Sequence, residues 1–346
     1  MLEGIRIIDF TRLLPGPVAT HLLAQMGAEV IKIESPKRQD YARIGLNPVD
    51  GASLMFHQLN HLKDLRSIDY EREKGKAEIL ELVASADAVI EQFRPGAMAA
   101  WGLDHESLKA IKSDLVYISL TGYGQTGPFA HMAGHDINYL AYSGILDLNR
   151  DETGRPVLPG VQFADISGAY LAVMSLQGAL LQQKITGQGS YVEVAMTDAV
   201  LPFLTFPYNL EASGMPQSFN FLNGTTAVNY GLYECADGKF LAVGALETKF
   251  WNRLCLLIDR PDWQRNNQLE LMVQQFPRKE VEELFLSQDR QHWLEVLEKE
   301  EVCVSPVLKL GELENHPYHQ ARENFGTFLS PKGKELKEMG KVWREG

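Results

Sequence analysis

Three short strings carry residues able to move a proton: AGHDINYLAYSG at 133–144, FADISGAY at 163–170 and VGALETKF at 243–250. The first sets His135 and Asp136 side by side ahead of an apolar run. Asp136 is expected to N-cap that helix, with Ile137, Tyr139 and Leu140 on its buried side. His135 is then either a satisfied structural residue or an acid/base group, imidazole being the side chain that titrates near neutrality. Asp165 stands ahead of a long apolar stretch. An N-cap there contributes roughly 1 kcal/mol. The chemical alternative is a carboxylate at the positive end of a buried helix, acting as base or nucleophile. Glu247 sits at a strand-to-helix junction and by itself reads as a helix-start charge.

Basic residues are informative in a chain whose net charge is -12. Arg38 and Arg43 follow a strand in ESPKRQDYAR (34–43), and Arg94 follows another in EQFRPG (91–96). They are either solvated surface residues or, at strand carboxyl ends, ligands for a phosphate-bearing molecule. The string GYGQTG (122–127) fits a dinucleotide fingerprint but has Pro128 immediately after it and no clean helix following. Its glycines instead suit a loop, with Gly122, Tyr123 and Gly124 near a ligand that approaches the backbone closely.

The elements that must position these groups alternate. Strand-like runs at 5–10, 29–34, 66–70, 87–93 and 114–120 are separated by helical patterns at 17–27 and 71–85 and by a helix opened by Asp104. Such alternation implies an α/β fold with a parallel sheet covered on both faces, whose ligands bind at the carboxyl ends of the strands. After Asp165, the segment to 184 is apolar almost all round and reads as a buried helix, with a further strand over 187–196. From about 225 the texture changes. Two strand-like runs meet at Asp237-Gly238, a hairpin signal, and charged helical sequence follows to about 300. The expected division is a large domain over 1–224, a smaller α+β domain over 225–320 and a segment over 321–346 returning toward the large domain.

The acidic balance argues against nucleic acid and anionic membrane as partners. Cys235, Cys255 and Cys303 have no metal or redox spacing and suit a reducing compartment. No metal or separate cofactor is expected. No apolar run approaching a membrane span of ~18 residues is expected either. The start LEGIRIIDF reads as a first strand rather than a leader, so the cytoplasm is the expected location.

Several of these strings together resemble the family III CoA-transferases (CaiB/BaiF type), which include the α-methylacyl-CoA racemases. They are LEGIRIIDFTRLLPGPVAT (2–20), GAEVIKIESP (27–36), FRPGAMAAWGL (93–103), SLTGYGQTGP (119–128), GHDINYLAYSG (134–144), FADISGAY (163–170) and YECADGKFLAVGALETKFW (233–251). The resemblance implies a Rossmann-like large domain, a small domain, an interlocked homodimer and an acyl-CoA substrate, CoA being part of that substrate. It implies that Asp165 is the family's aspartate, a nucleophile in the transferases and one of two acid/base groups in the racemases. His135 matches the second acid/base group of the racemase branch, and Glu247 the glutamate that steadies it. CoA recognition would fall to Arg38, Arg43 and Arg94, with Gly122, Tyr123 and Gly124 close to the thioester or pantetheine. The expected activity is racemisation of 2-methylacyl-CoA or 2-arylacyl-CoA thioesters. The alternatives are CoA transfer between carboxylic acids through acyl-Asp165, and a CoA-thioester sensor that requires neither group. The chain departs from the family pattern at LNGTTAVNYGLY (222–233), where a Gly-Gly-x-Pro-like segment is usual.

Overall fold

The computed structural model describes residues 1–151, 153–216, 220–224, 227–267, 270 and 278–344. The chain forms two compact units, one of Met1–Phe203 with Tyr318–Gly346 and one of Leu204–Pro317. The division thus falls at 203/204 rather than at 224.

Apart from an antiparallel pair at Phe325–Leu329 and Glu335–Met339, the strands of the first unit are β1 (Arg6–Asp9), β2 (Glu29–Glu34), β3 (Asp64–Ser67), β4 (Ala88–Glu91), β5 (Val116–Thr121) and β6 (Ser190–Ala195). These six form one parallel sheet in the order β3-β2-β1-β4-β5-β6. This is the Rossmann order, whose direction reverses between β1 and β4 and opens a crevice beyond their carboxyl ends. Alternate side chains serve opposite faces, as the two-residue period of a strand requires. Ile7, Val30, Ile90 and Ile118 pack under α1 (Pro15–Gln25) and the long helix α8 (Phe163–Thr186). Ile8, Ile31, Val89 and Tyr117 face the other way, toward α3 (Glu73–Ala84).

Further helices of this unit are α2 (Leu54–Asn60), α4 (Ala97–Trp101), α5 (His105–Lys109), α6 (Asp136–Ser143), α7 (Ile145–Leu148), α8 (Phe163–Thr186) and α9 (Met196–Ala199). Asp104 caps α5 as expected, accepting from the Ser107 N–H at 2.7 Å. Edge strand β3 lies a little earlier than expected, and all four of its residues are exposed, Asp64 and Arg66 among them. A short charged edge discourages pairing with another chain. Contrary to expectation, α8 is long and apolar enough to cross a membrane by length and composition. One face of it is core, with Gly168, Ala172, Leu176 and Leu180 buried.

In the second unit, β7 (Tyr230–Glu234) and β8 (Phe240–Gly244) form the antiparallel hairpin expected at Asp237-Gly238, where Gly238 has φ +67°. Helix α10 (Thr205–Ala212) precedes this hairpin and α11 (Thr248–Leu257) follows it, and β9 (Val304–Pro306) adds a third strand beside β8. Tyr233, Leu241 and Val243 pack with Trp251, Phe285 and Trp293 into a separate core.

Candidate active site

Two helix starts converge in the first unit. His135, extended at φ -130° and ψ 177°, is the N-cap of α6, and its N–H donates to Asn138 Oδ1 at 3.1 Å. Asp136 is therefore not the cap of its own helix but its first residue. Its carboxylate reaches across to α8, where Oδ1 accepts from the N–H groups of Ala164 at 2.7 Å and Asp165 at 3.1 Å. These are first-turn donors with no partner inside their own helix. The N-cap position of α8 belongs to Gln162, and Asp165 is the third helical residue. The capping expected of Asp165 is thus done by Asp136. The Asp165 side chain is left without a hydrogen-bond partner among the described residues.

Burial raises the Asp165 carboxyl, the Asp136 charge raises it further and His135 pulls it back, giving a value of about 6. A carboxyl near 6 exchanges protons at neutral pH more readily than an ordinary aspartate. The adjacent Tyr139 hydroxyl is pushed up to about 12, first by burial and then by Asp165. It donates to the Gly134 carbonyl at 2.7 Å, which fixes the chain just before His135.

A cavity of about 390 Å³ opens beside His135, lined also by Arg94, Gly122, Tyr123, Asn138 and Tyr139. Gly122 is required because a Cβ there would stand 2.5 Å from the Tyr139 ring. Gly124 has φ +89°, and a Cβ would meet Glu193 at 2.6 Å. This loop follows the fifth strand and leads to α6 only at Asp136, so it is not a dinucleotide fingerprint. It is braced from behind. Ser119 Oγ receives the Gln125 side-chain N–H at 2.6 Å and donates to Glu91 at 2.5 Å. The Phe93 N–H donates to the other Glu91 oxygen at 2.7 Å. Burial raises Glu91 to about 7 against these two hydrogen bonds.

The expected cations fare differently. Arg94 is exposed, has no ion pair among the described residues and lines the His135 cavity. Arg38 pairs with Glu71 at 3.1 Å and lies 5.4 Å from the centre of the Trp101 ring. Arg43 forks onto Glu34, at 3.0 and 2.5 Å, and stacks on Phe56. That bidentate pair occupies the guanidinium face a phosphate would use. Arg12, not singled out from the sequence, stands at the crevice with its guanidinium 5.2 Å from the centre of the Phe93 ring. Its position just past β1 of a parallel sheet is the signal that could have found it.

Glu247 belongs to the second unit, where it is the exposed N-cap of α11. Its main-chain carbonyl accepts from Phe250 at 3.0 Å and Trp251 at 3.1 Å. Of the divergent segment 222–233, Thr225 and Thr226 lie outside the described residues. Among the described residues no His/Cys/Asp/Glu cluster could hold a metal ion.

The model of CoA-transferase family III matches residues 2–345. The chain is 29% identical over 331 residues to human alpha-methylacyl-CoA racemase, spanning 94% of this chain and 82% of that protein. It is 36% identical over 270 residues to a succinate–glutarate CoA-transferase of Agrobacterium fabrum, spanning 74% and 66%. Among solved structures, a CaiB/BaiF family protein from Brucella suis superimposes with a TM-score of 0.82 at 29% identity, over 99% of this chain and 92% of that one.

Proposed function

The chain belongs to CoA-transferase family III, and from that premise we propose that it is a racemase or epimerase of 2-methylacyl-CoA or 2-arylacyl-CoA thioesters. The observation that carries this reading is the Asp136 clamp. It holds the start of α8 against the start of α6, and Asp165, at about 6, feels the charge of His135.

The chemistry follows from those groups. A thioester α-proton is weakly acidic, so its removal needs a placed base and a stabilised enolate oxygen. Inversion needs an acceptor on one face of the α-carbon and a donor on the other. With one hand of substrate, Asp165 takes the α-proton and His135 returns one to the opposite face. With the other hand the roles exchange. The N–H groups of Ala164 and Asp165 are already engaged by Asp136, so the enolate oxygen draws on other donors. The nucleotide end of CoA lies at the crevice between β1 and β4, toward Arg94 and Arg38. No separate cofactor takes part.

The second reading is CoA transfer, with Asp165 attacking the thioester carbonyl, expelling CoA as thiolate and forming an acyl-Asp165 anhydride. It is favoured by the 36% identity to a CoA-transferase and by the unpaired Asp165 carboxyl. Hydroxylamine trapping separates the two: a hydroxamate released from the acyl-Asp165 anhydride, or left on Asp165 itself, supports transfer, and α-proton exchange without it supports racemisation.

We also take the working form to be a homodimer. Tyr170, Met174, Leu181 and Ile185 form an exposed apolar stripe along α8, at 47%, 67%, 63% and 75% exposure. Such a stripe at helical spacing is what a partner helix face would cover.

A further inference from the structure

Four ionisable side chains are buried together beneath the end of β1. Asp9, Lys32 and Asp40 are at most 1% exposed, and Lys63 is 8% exposed. Lys32 pairs with Asp40 at 3.1 Å and Lys63 with Asp9 at 3.4 Å. Burying four charges is expensive, and replacing such a set with apolar residues is often neutral or stabilising. A structural role alone therefore does not account for it.

What the four charges hold is one loop. Asp9 accepts from the Thr11 N–H at 2.8 Å and the Thr11 hydroxyl at 2.6 Å. Lys32 donates to the Thr11 carbonyl at 2.6 Å. Asp40 accepts from the Leu13 N–H at 2.8 Å. Both peptide units flanking Arg12 are thus pinned from below. The pinning is tight enough to keep Leu13 at φ +62°, a left-handed conformation unfavourable for leucine. Across the crevice, the Gly16 N–H donates to Gln92 Oε1 at 3.0 Å, tying this loop to the one after β4.

The side chain left pointing out of this pinned loop is Arg12. Its guanidinium lies 5.7 Å from the centre of the Tyr41 ring and 5.2 Å from that of Phe93, with no ion pair among the described residues. It stands at the reversal of strand order, the place where open α/β sheets receive a ligand's pyrophosphate. An unpaired guanidinium held there by a costly buried quartet is built for an anion.

We propose that Arg12 is a pyrophosphate-binding residue, aimed by the Asp9–Lys32–Asp40–Lys63 quartet and opposed across the crevice by Arg94. This deepens the reading that the substrate carries CoA, and it rests on that reading. Asp40 and Lys32 act through the loop and are positioning residues. Of the pinned loop and the quartet beneath it, only Arg12 touches the ligand.

The test is titration of CoA and of dephospho-CoA, which keeps the pyrophosphate and lacks the 3′-phosphate, with thermal unfolding as a control. Arg12→Ala should weaken both ligands by about tenfold to a hundredfold, the loss of one charge-assisted contact, with Tm unchanged. Arg12→Lys should recover part of it. Asp40→Asn should weaken both ligands by a smaller factor while Arg12 is intact. Unchanged affinity in Arg12→Ala, or a loss confined to CoA, overturns the proposal while leaving the CoA reading standing. Unchanged affinity in Asp40→Asn overturns the aiming role of the quartet. Failure of the wild-type chain to bind either ligand overturns the CoA reading itself, and the proposal with it.

Discussion

Asp136 Oδ1 lies 3.1 Å from the main-chain nitrogen of Asp165, so one aspartate caps the helix that presents the other. Two jobs that a single carboxylate would share are thereby divided. Asp136 satisfies the helix start, and Asp165 keeps its carboxyl for chemistry.

The division predicts opposite outcomes for two changes at Asp136. Asp136→Ala strands the Ala164 and Asp165 N–H groups and should cost about 1–2 kcal/mol of stability. Asp136→Asn keeps an accepting oxygen but removes a charge that raises Asp165. It should retain near-wild-type Tm and shift the acidic limb of the pH–rate profile to lower pH. An unmoved limb would mean that the two carboxylates are not coupled.

Asp165 has a second, thermodynamic signature. Its folded value, about 6, lies above that of an ordinary aspartate. The folded state therefore favours the protonated form, and this contribution to stability is lost as pH rises from about 4 through 6. Asp165→Asn should abolish turnover. It should also raise stability at pH 7.5 by about 1 kcal/mol after allowance for solvent screening, and by less at pH 4. Chemical denaturation at the two pH values measures the difference.

Glu91 follows the same sign at a higher pH. Burial lifts it to about 7, so the neutral acid favours the folded state and stability falls as pH rises from about 4.5 through 7. Glu91→Gln should stabilise the protein at pH 8 by about 2 kcal/mol relative to wild type, with little effect at pH 4. Glu91→Ala leaves the Phe93 N–H and Ser119 hydroxyl unpaired and should destabilise at every pH.

The exposed stripe on α8 predicts association. Sedimentation of the wild-type chain should give a dimer, and Met174→Glu with Leu181→Glu should give a folded monomer or a much weaker dimer. A wild-type monomer at micromolar concentration contradicts the homodimer.

Much of this was legible in the sequence because it is written in local periodicity. The parallel strands, the long apolar α8 and the hairpin at Asp237-Gly238 follow from two-residue and helical repeats and turn chemistry, although α8 is buried on one face rather than all round. The proximity of His135 to Asp165 was legible only through family resemblance. The role of Asp136 was misread, because a residue beside a helix start looks like that helix's own cap. Nothing local reveals a cap supplied from 28 residues away. Arg43 reads as a free cation beside a strand end, yet its partner Glu34 fixes it through a fork that only the turn between them creates. Arg12 escaped notice for the converse reason. Its importance lies in four buried charges spread over residues 9–63, each unremarkable in its own string.

The most direct measurement is α-proton exchange. A single enantiomer of a 2-methylacyl-CoA is incubated with the enzyme in D2O, and deuterium at carbon-2 is followed together with optical purity. The account predicts incorporation of one deuterium with loss of optical purity, abolished by either His135→Ala or Asp165→Ala. Retention of configuration without exchange, together with movement of CoA to a labelled free acid, would contradict it and assign Asp165 to nucleophilic transfer.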